Sequence, residues 1–208
     1  CPAREKCGWL GDAQVEAEFA IANFDCRKLF TKYLDDIGTS LWQGIPTMVA
    51  PGSRKCGEAT PGWGTALVQL PWYLYLYYGD TEPMRRHYDA MRRWLDHLSA
   101  VAEDGIVGYG LGDWCPPGTV NPTATPVALT STAYYFLDAE LLSRMAQLLG
   151  RDADARNFAA LAQRMVTRDG RRSRPGVPIA AAIGRSPRAP RPADRRAGRA
   201  TASAPHRG

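Results

Sequence analysis

The sequence is poor in the residues that build metal and redox sites. Its three histidines, His87, His97 and His206, are scattered, its five cysteines are odd in number, and none fall in a Cys-x-x-Cys pair. Zinc-ligand spacing and a disulfide framework are thereby excluded, and no metal or other cofactor is expected. Reduced thiols are the ordinary state in a cytosolic protein, the compartment favoured here. An apolar run of about 18 residues, the length a helix needs to cross a bilayer, is also missing. The richest stretch, Ala66 to Tyr78, is shorter and is broken by Gln69 and Pro71. No membrane association is expected. The opening at Cys1, without Met, reads as a fragment edge.

Charge is unevenly spread. Residues 169–208 carry ten Arg, no Lys and two Asp, whereas residues 1–168 hold 16 basic and 19 acidic groups. The net charge of +5 therefore belongs to the tail, and the body shows no electrostatic footprint for nucleic acid. The tail also lacks Phe, Trp, Tyr, Leu and Met. A segment that buries so little apolar surface does not offset its ordering entropy, so disorder is expected from residue 169 onward. Its Arg, Ala, Pro and Gly are what GC-rich DNA encodes out of frame, which places a loss of frame near Thr167. Residues 1–168 are expected to form the one folded domain.

Helical periodicity dominates that domain. Val15, Phe19, Ala22, Cys26, Leu29, Tyr33 and Ile37 recur at steps of three and four, which predicts one long first helix with a single apolar face. Further stripes run Met84, Tyr88, Met91, Leu95, Leu98, Ala102, then Leu129, Ala133, Phe136, Leu137, Leu141, Met145, Leu148, then Ala155, Phe158, Ala162, Met165. Thr65 to Tyr78 is apolar nearly all round, so periodicity leaves a buried helix or a buried strand open. Its helical neighbours favour a helix, with Pro71 near the first turn. Asp80 or Thr81, and later Asp152, are candidate helix caps. Trp42, Trp72 and Trp94 sit in apolar surroundings and are expected in the core. Two long segments rich in Gly, Pro and Thr, residues 44–64 and 105–125, separate the helices; connections of this length are usually functional or disordered, and their tryptophans favour function. An all-α array with binding loops at one end is the expected architecture.

The opening segment gathers Arg4, Glu5, Lys6, Trp9 and Asp12 between Pro2, Gly8 and Gly11. Two carboxylates and an indole in a Gly-punctuated loop suit a sugar site, since glycosidases need one carboxylic acid to protonate the leaving oxygen and a second carboxylate to activate water or attack. The string CPAREKCGWLGDAQ closely resembles the CPxREKxGWxGDAQ segment of the α-L-rhamnosidases of glycoside hydrolase family 78. The resemblance continues in register through FAIANFDCRKLFTKYLDDI, PGWGTALVQLPWYLYLYYGD, YGLGDWCPP and LTSTAYYFLDAELLSRMAQLLGRDADA, covering residues 1–168.

That resemblance implies an (α/α)6 six-hairpin barrel, here incomplete, with about five helices of twelve. It implies inverting hydrolysis of terminal α-L-rhamnose and a rhamnose-containing glycoside as partner. Glu5 matches the general acid. Arg4, Trp9, Asp12, Trp63, Asp113 and Trp114 match residues around the sugar. Thr65 departs from the acidic residue the family often carries after PGWG. The family's catalytic base lies beyond residue 168, and the tail contains no Glu, so the chain alone is expected to be inactive. Another six-hairpin carbohydrate enzyme and a non-catalytic sugar-binding protein stay open as alternatives.

Overall fold

The computed structural model describes residues 3–172. Six long helices and one short one account for most of them: α1 (Leu10–Asn23), α2 (Arg27–Thr39), α3 (Pro61–Gly64), α4 (Ala66–Tyr78), α5 (Glu82–Val101), α6 (Val127–Leu148) and α7 (Asp152–Arg172). Among the described residues the only β-pairing is in isolated bridges, and no helix is long and apolar enough to cross a membrane. Of the tail expected to be disordered, residues 169–172 continue α7, and the rest lies outside the described residues.

Of the long helices, α1 and α2 follow one another in the chain and both pack on α4, which also packs on α5 and α6. The α6 helix pairs most extensively with α7, and α5 lies against both α2 and α6. Position in the array explains α4. It packs on α1, α2, α5 and α6 at once, so it buries residues around its whole circumference, from Ala66 and Leu67 to Leu74 and Leu76. An all-round apolar helix is what such a central place demands. Pro71 falls in the second turn of α4 rather than the first, because the helix starts at Ala66 directly behind α3.

The single long first helix is not formed. The chain breaks at Phe24–Cys26, where Phe24 is extended and the Asp25 carboxylate accepts the Arg27 N–H at 3.2 Å. This local side-chain bond starts a new helix. The expected stripe holds only in part: Cys26 and Ile37 are buried and Tyr33 half-buried, but Val15 and Phe19 are each 70% exposed and Ala22 and Leu29 are exposed, whereas Leu10, Gln14 and Ala17 of α1 and Phe30 and Leu34 of α2 are buried. The break also raises the helix number above the five expected. The α5 and α7 stripes are buried largely as read, while Leu129 and Leu148 at the two ends of α6 are exposed. Thr81 holds the N-cap position of α5 without a side-chain cap bond, and the Asp80 carboxylate just before it takes the Glu82 N–H at 3.1 Å, whereas Asp152 is the first residue of α7 rather than its cap.

Trp72 and Trp94 are core residues, but Trp42 is 62% exposed. Trp42 exchanges both backbone hydrogen bonds with Ile45 across Gln43 (φ 50°) and Gly44 (φ 83°), a tight turn that buries Ile45 and leaves the indole outside.

Gly64 marks where α3, α5 and α6 meet. A Cβ there would lie 2.3 Å from Cζ2 of Trp94, which is fully buried and donates its indole N–H to Asp138. Gly64→Ala should therefore destabilise the fold by about 2–3 kcal/mol in chemical denaturation. In an open helix the same change would stabilise by up to about 1 kcal/mol. A neutral or stabilising result would refute the close contact.

Candidate functional site

The loop carrying Glu5 is held by its neighbours in sequence and by one returning segment. Trp9 pairs with Val49 in an antiparallel bridge; the Leu10 N–H donates to Met48 O at 3.0 Å and the Ala50 N–H to Gly8 O at 2.9 Å. Gly8 is required by this approach, because a Cβ there would sit 2.2 Å from the Ala50 carbonyl oxygen. Tyr33 donates its hydroxyl to the same Gly8 carbonyl at 2.9 Å. Burial, with Asp12 and Asp36 nearby, holds that phenol far above its ordinary pKa, so it stays a neutral donor. Arg54 reaches back to the Glu5 carbonyl at 3.3 Å. A small second core of Met48, Val49 and Ala59 lies below, with Trp9, Trp63 and Leu111 packed on it.

Glu5 itself is fixed at both oxygens. Arg4 donates to Oε1 at 3.0 Å, and the Trp9 indole N–H makes a short hydrogen bond to Oε2. The Glu5 side chain is 30% exposed and that of Arg4 is 82% exposed. The carboxylate therefore stands at the surface of the loop, oriented and reachable.

Two adjoining hollows open beside this loop. The larger cleft is lined by Glu5, Lys6, Trp9, Asp12, Glu16 and Tyr33, among others. The second is a cavity of about 350 Å³ whose walls include Asp12, Gln14, Trp63, Leu111, Trp114 and Tyr134. Asp12 and Glu16, four residues apart on α1 and hence on one face, line both. The Trp63 indole lies flat on α1 because Gly11 has no side chain; a Cβ there would meet the ring at 2.5 Å. This accounts for both glycines in the string GWLGD.

Of the residues expected at the site, the structure brings Asp12, Trp63 and Trp114 together in the cavity and places Glu5 and Trp9 with Asp12 in the cleft. Arg4 and Asp113 line neither. Arg4 pairs with Glu5, and Asp113 accepts the Ala124 N–H at 3.2 Å, which pins the loop that carries Trp114. Gln14, Glu16 and Tyr134 were not expected. Gln14 and Glu16 directly follow the recognised carboxylate on α1, so their closeness to Asp12 was available; Tyr134 comes from a distant helix.

Residues 1–168 match the family described as the bacterial alpha-L-rhamnosidase 6 hairpin glycosidase domain. The chain belongs to that family. The helices seen here are thus part of a six-hairpin rhamnosidase domain. A curated alpha-L-rhamnosidase of Formosa agariphila is 40% identical over 154 residues, which is 65% of this chain and 16% of that relative. The solved α-L-rhamnosidase of Dictyoglumus thermophilum superposes with a TM-score of 0.76 at 40% identity, covering 79% of this chain and 19% of that one. The Streptomyces avermitilis α-L-rhamnosidase complexed with L-rhamnose gives a TM-score of 0.73 at 31% identity, covering 81% and 16%. The chain thus spans less than a fifth of the length of these rhamnosidases.

Proposed function

We propose that this chain supplies the proton-donor side of a site that hydrolyses terminal α-L-rhamnosides with inversion. The carrying observation is Glu5, exposed in part, gripped at one oxygen by Trp9 and at the other by Arg4, beside a cavity walled by Trp63 and Trp114. The family match favours a rhamnoside over the substrates of other six-hairpin enzymes.

In this reading the sugar ring packs against the Trp63 and Trp114 indoles, whose faces offer large, rigid apolar area. Asp12 accepts hydrogen bonds from ring hydroxyls. Glu5 gives its proton to the glycosidic oxygen as the bond to the anomeric carbon breaks and that bond's electron pair goes to the oxygen. A water attacks the anomeric carbon from the opposite face and loses its proton to a second carboxylate. Inversion needs that carboxylate roughly 6.5–9.5 Å from the first, leaving room for the water. It comes from outside residues 1–168, so the 208-residue chain binds rhamnose but turns over little or no rhamnoside.

Titration of the chain with L-rhamnose, followed by tryptophan fluorescence, tests this. Saturable binding is expected, and Trp114→Ala should weaken it about fivefold to tenfold with little change in melting temperature, since Trp114 is half exposed. Absence of binding by the wild-type chain refutes the assignment. In a complete relative, the first anomer released from an α-L-rhamnoside should be β; an α product would refute inversion.

A further inference from the structure

The floor of the cavity connects to a buried carboxylate. Asp138 on α6 is wholly inaccessible and is held by two neutral donors, the Thr65 hydroxyl at 2.5 Å and the Trp94 indole N–H at 2.9 Å. The Gln69 amide N–H2 donates to Thr65 Oγ1 at 2.9 Å and to Gln14 Oε1 at 3.2 Å, while its own carbonyl accepts the Tyr73 hydroxyl at 3.0 Å. Gln14 in turn donates to the Gly62 carbonyl at 3.3 Å and to the Tyr134 hydroxyl at 3.5 Å, the longest link. Gln14 and Tyr134 both line the cavity.

The direction of the bonds from Gln69 to Tyr134 is determined by what lies at the ends of this chain. An indole N–H only donates, and a backbone carbonyl only accepts. Trp94 makes Asp138 Oδ2 an acceptor, while Oδ1 takes the Thr65 proton when the acid is ionised and donates to Thr65 when it is protonated; in both states Thr65 Oγ1 keeps a lone pair for Gln69. Thr65 Oγ1 is left as an acceptor, which turns the amino end of Gln69 toward it and toward Gln14. The Gly62 carbonyl independently demands the amino end of Gln14. Tyr134 then receives a hydrogen bond from Gln14 on its oxygen, and its own O–H is the one donor with no partner inside the network. A buried carboxylate with no cation partner is costly to keep. Orienting a donor is a use that accounts for it, because fully connected networks of this kind rigidify what they hold.

We propose that Tyr134 is a sugar-binding residue of the cavity, donating its hydroxyl proton to a ring oxygen or hydroxyl of the bound rhamnose, and that Thr65, Gln69 and Gln14 are positioning residues that set this donor from Asp138. The proposal rests on the cavity taking rhamnose, as above.

L-rhamnose affinity of the 208-residue chain tests both halves. Tyr134→Phe should bind about tenfold more weakly, the worth of one lost hydrogen bond. Thr65→Val keeps the side-chain shape but breaks the relay and should weaken binding about threefold to tenfold. Thr65→Ser keeps the hydroxyl but loses a methyl and should stay within about twofold of wild type. A packing role predicts the reverse order for the two Thr65 variants. In the Tyr134→Phe background the Thr65→Val effect should vanish, since the two act as one unit. Wild-type affinity in Tyr134→Phe, or a loss in Thr65→Ser equal to that in Thr65→Val, overturns the proposal while leaving the rhamnose assignment standing. Failure of the wild-type chain to bind rhamnose overturns both. Should Thr65→Val not fold, Tyr134→Phe and Thr65→Ser still decide.

Discussion

Changing the glutamate that aligns with Glu5 to glutamine in a complete α-L-rhamnosidase should cut turnover of an alkyl rhamnoside by about 10³-fold. Turnover of a nitrophenyl rhamnoside should fall far less. The difference is diagnostic of a general acid. An alkoxide is a poor leaving group and needs the proton while the glycosidic bond breaks, whereas nitrophenolate leaves without it. The loss corresponds to about 4 kcal/mol of transition-state stabilisation. The geometry here shows what glutamine would keep and what it would lose. Glu5 Oε1 faces the Arg4 guanidinium and Oε2 the Trp9 indole. An amide retains one of these contacts and its planar shape but has no proton to give. Equal losses on the two substrates would assign the residue to binding or folding instead.

Wild-type stability, measured relative to Asp138→Asn, should decline by about 4 kcal/mol as pH rises from below 4 to above 7. Burial raises the Asp138 pKa from 3.8 to about 7, and the hydrogen bonds from Thr65 and Trp94 only partly oppose this. Between those values the folded protein holds a proton that the unfolded chain has released, so folding is favoured by acid through this group. Below the unfolded pKa there is no penalty; it grows through the window and is constant above pH 7. The magnitude is the shift converted at about 1.4 kcal/mol per pH unit. Other carboxylates titrate too, which is why the comparison with Asp138→Asn is needed. Urea unfolding of both proteins at pH 4.5 and pH 8 measures it, and a constant difference between them would refute the raised pKa.

What could be read without coordinates follows the range of the interactions. Glu5, Trp9 and Asp12 lie within eight positions in one recognisable string, and their neighbourhood survives into three dimensions. The all-round apolar character of α4 announced a buried element because that pattern reports burial directly, and only its helical neighbours favoured helix over strand. The break at Phe24–Cys26 was hidden, since an unbroken step of three and four ran across it and the signal that ends it is one carboxylate, Asp25, bonding its own backbone. Trp42 misled for the opposite reason: hydrophobicity predicts burial, but a tight turn decided its direction. Gln14 and Tyr134 meet across 120 residues, a pairing that no local pattern encodes.

That spacing has a consequence for how the molecule is made. The loop carrying Glu5 is tied by Tyr33 and Arg54, 25 and 49 residues away in the chain. The relay closes only when Asp138 meets Thr65 across 73 residues and Tyr134 meets Gln14 across 120. Closing a longer loop costs more entropy, and non-local contacts form later. During synthesis Tyr33 and Arg54 leave the ribosome before α6 does, so the ties on the Glu5 loop are available first and those of the cavity floor last. A nascent chain can thus hold Glu5 in place before the cavity beside it has its floor.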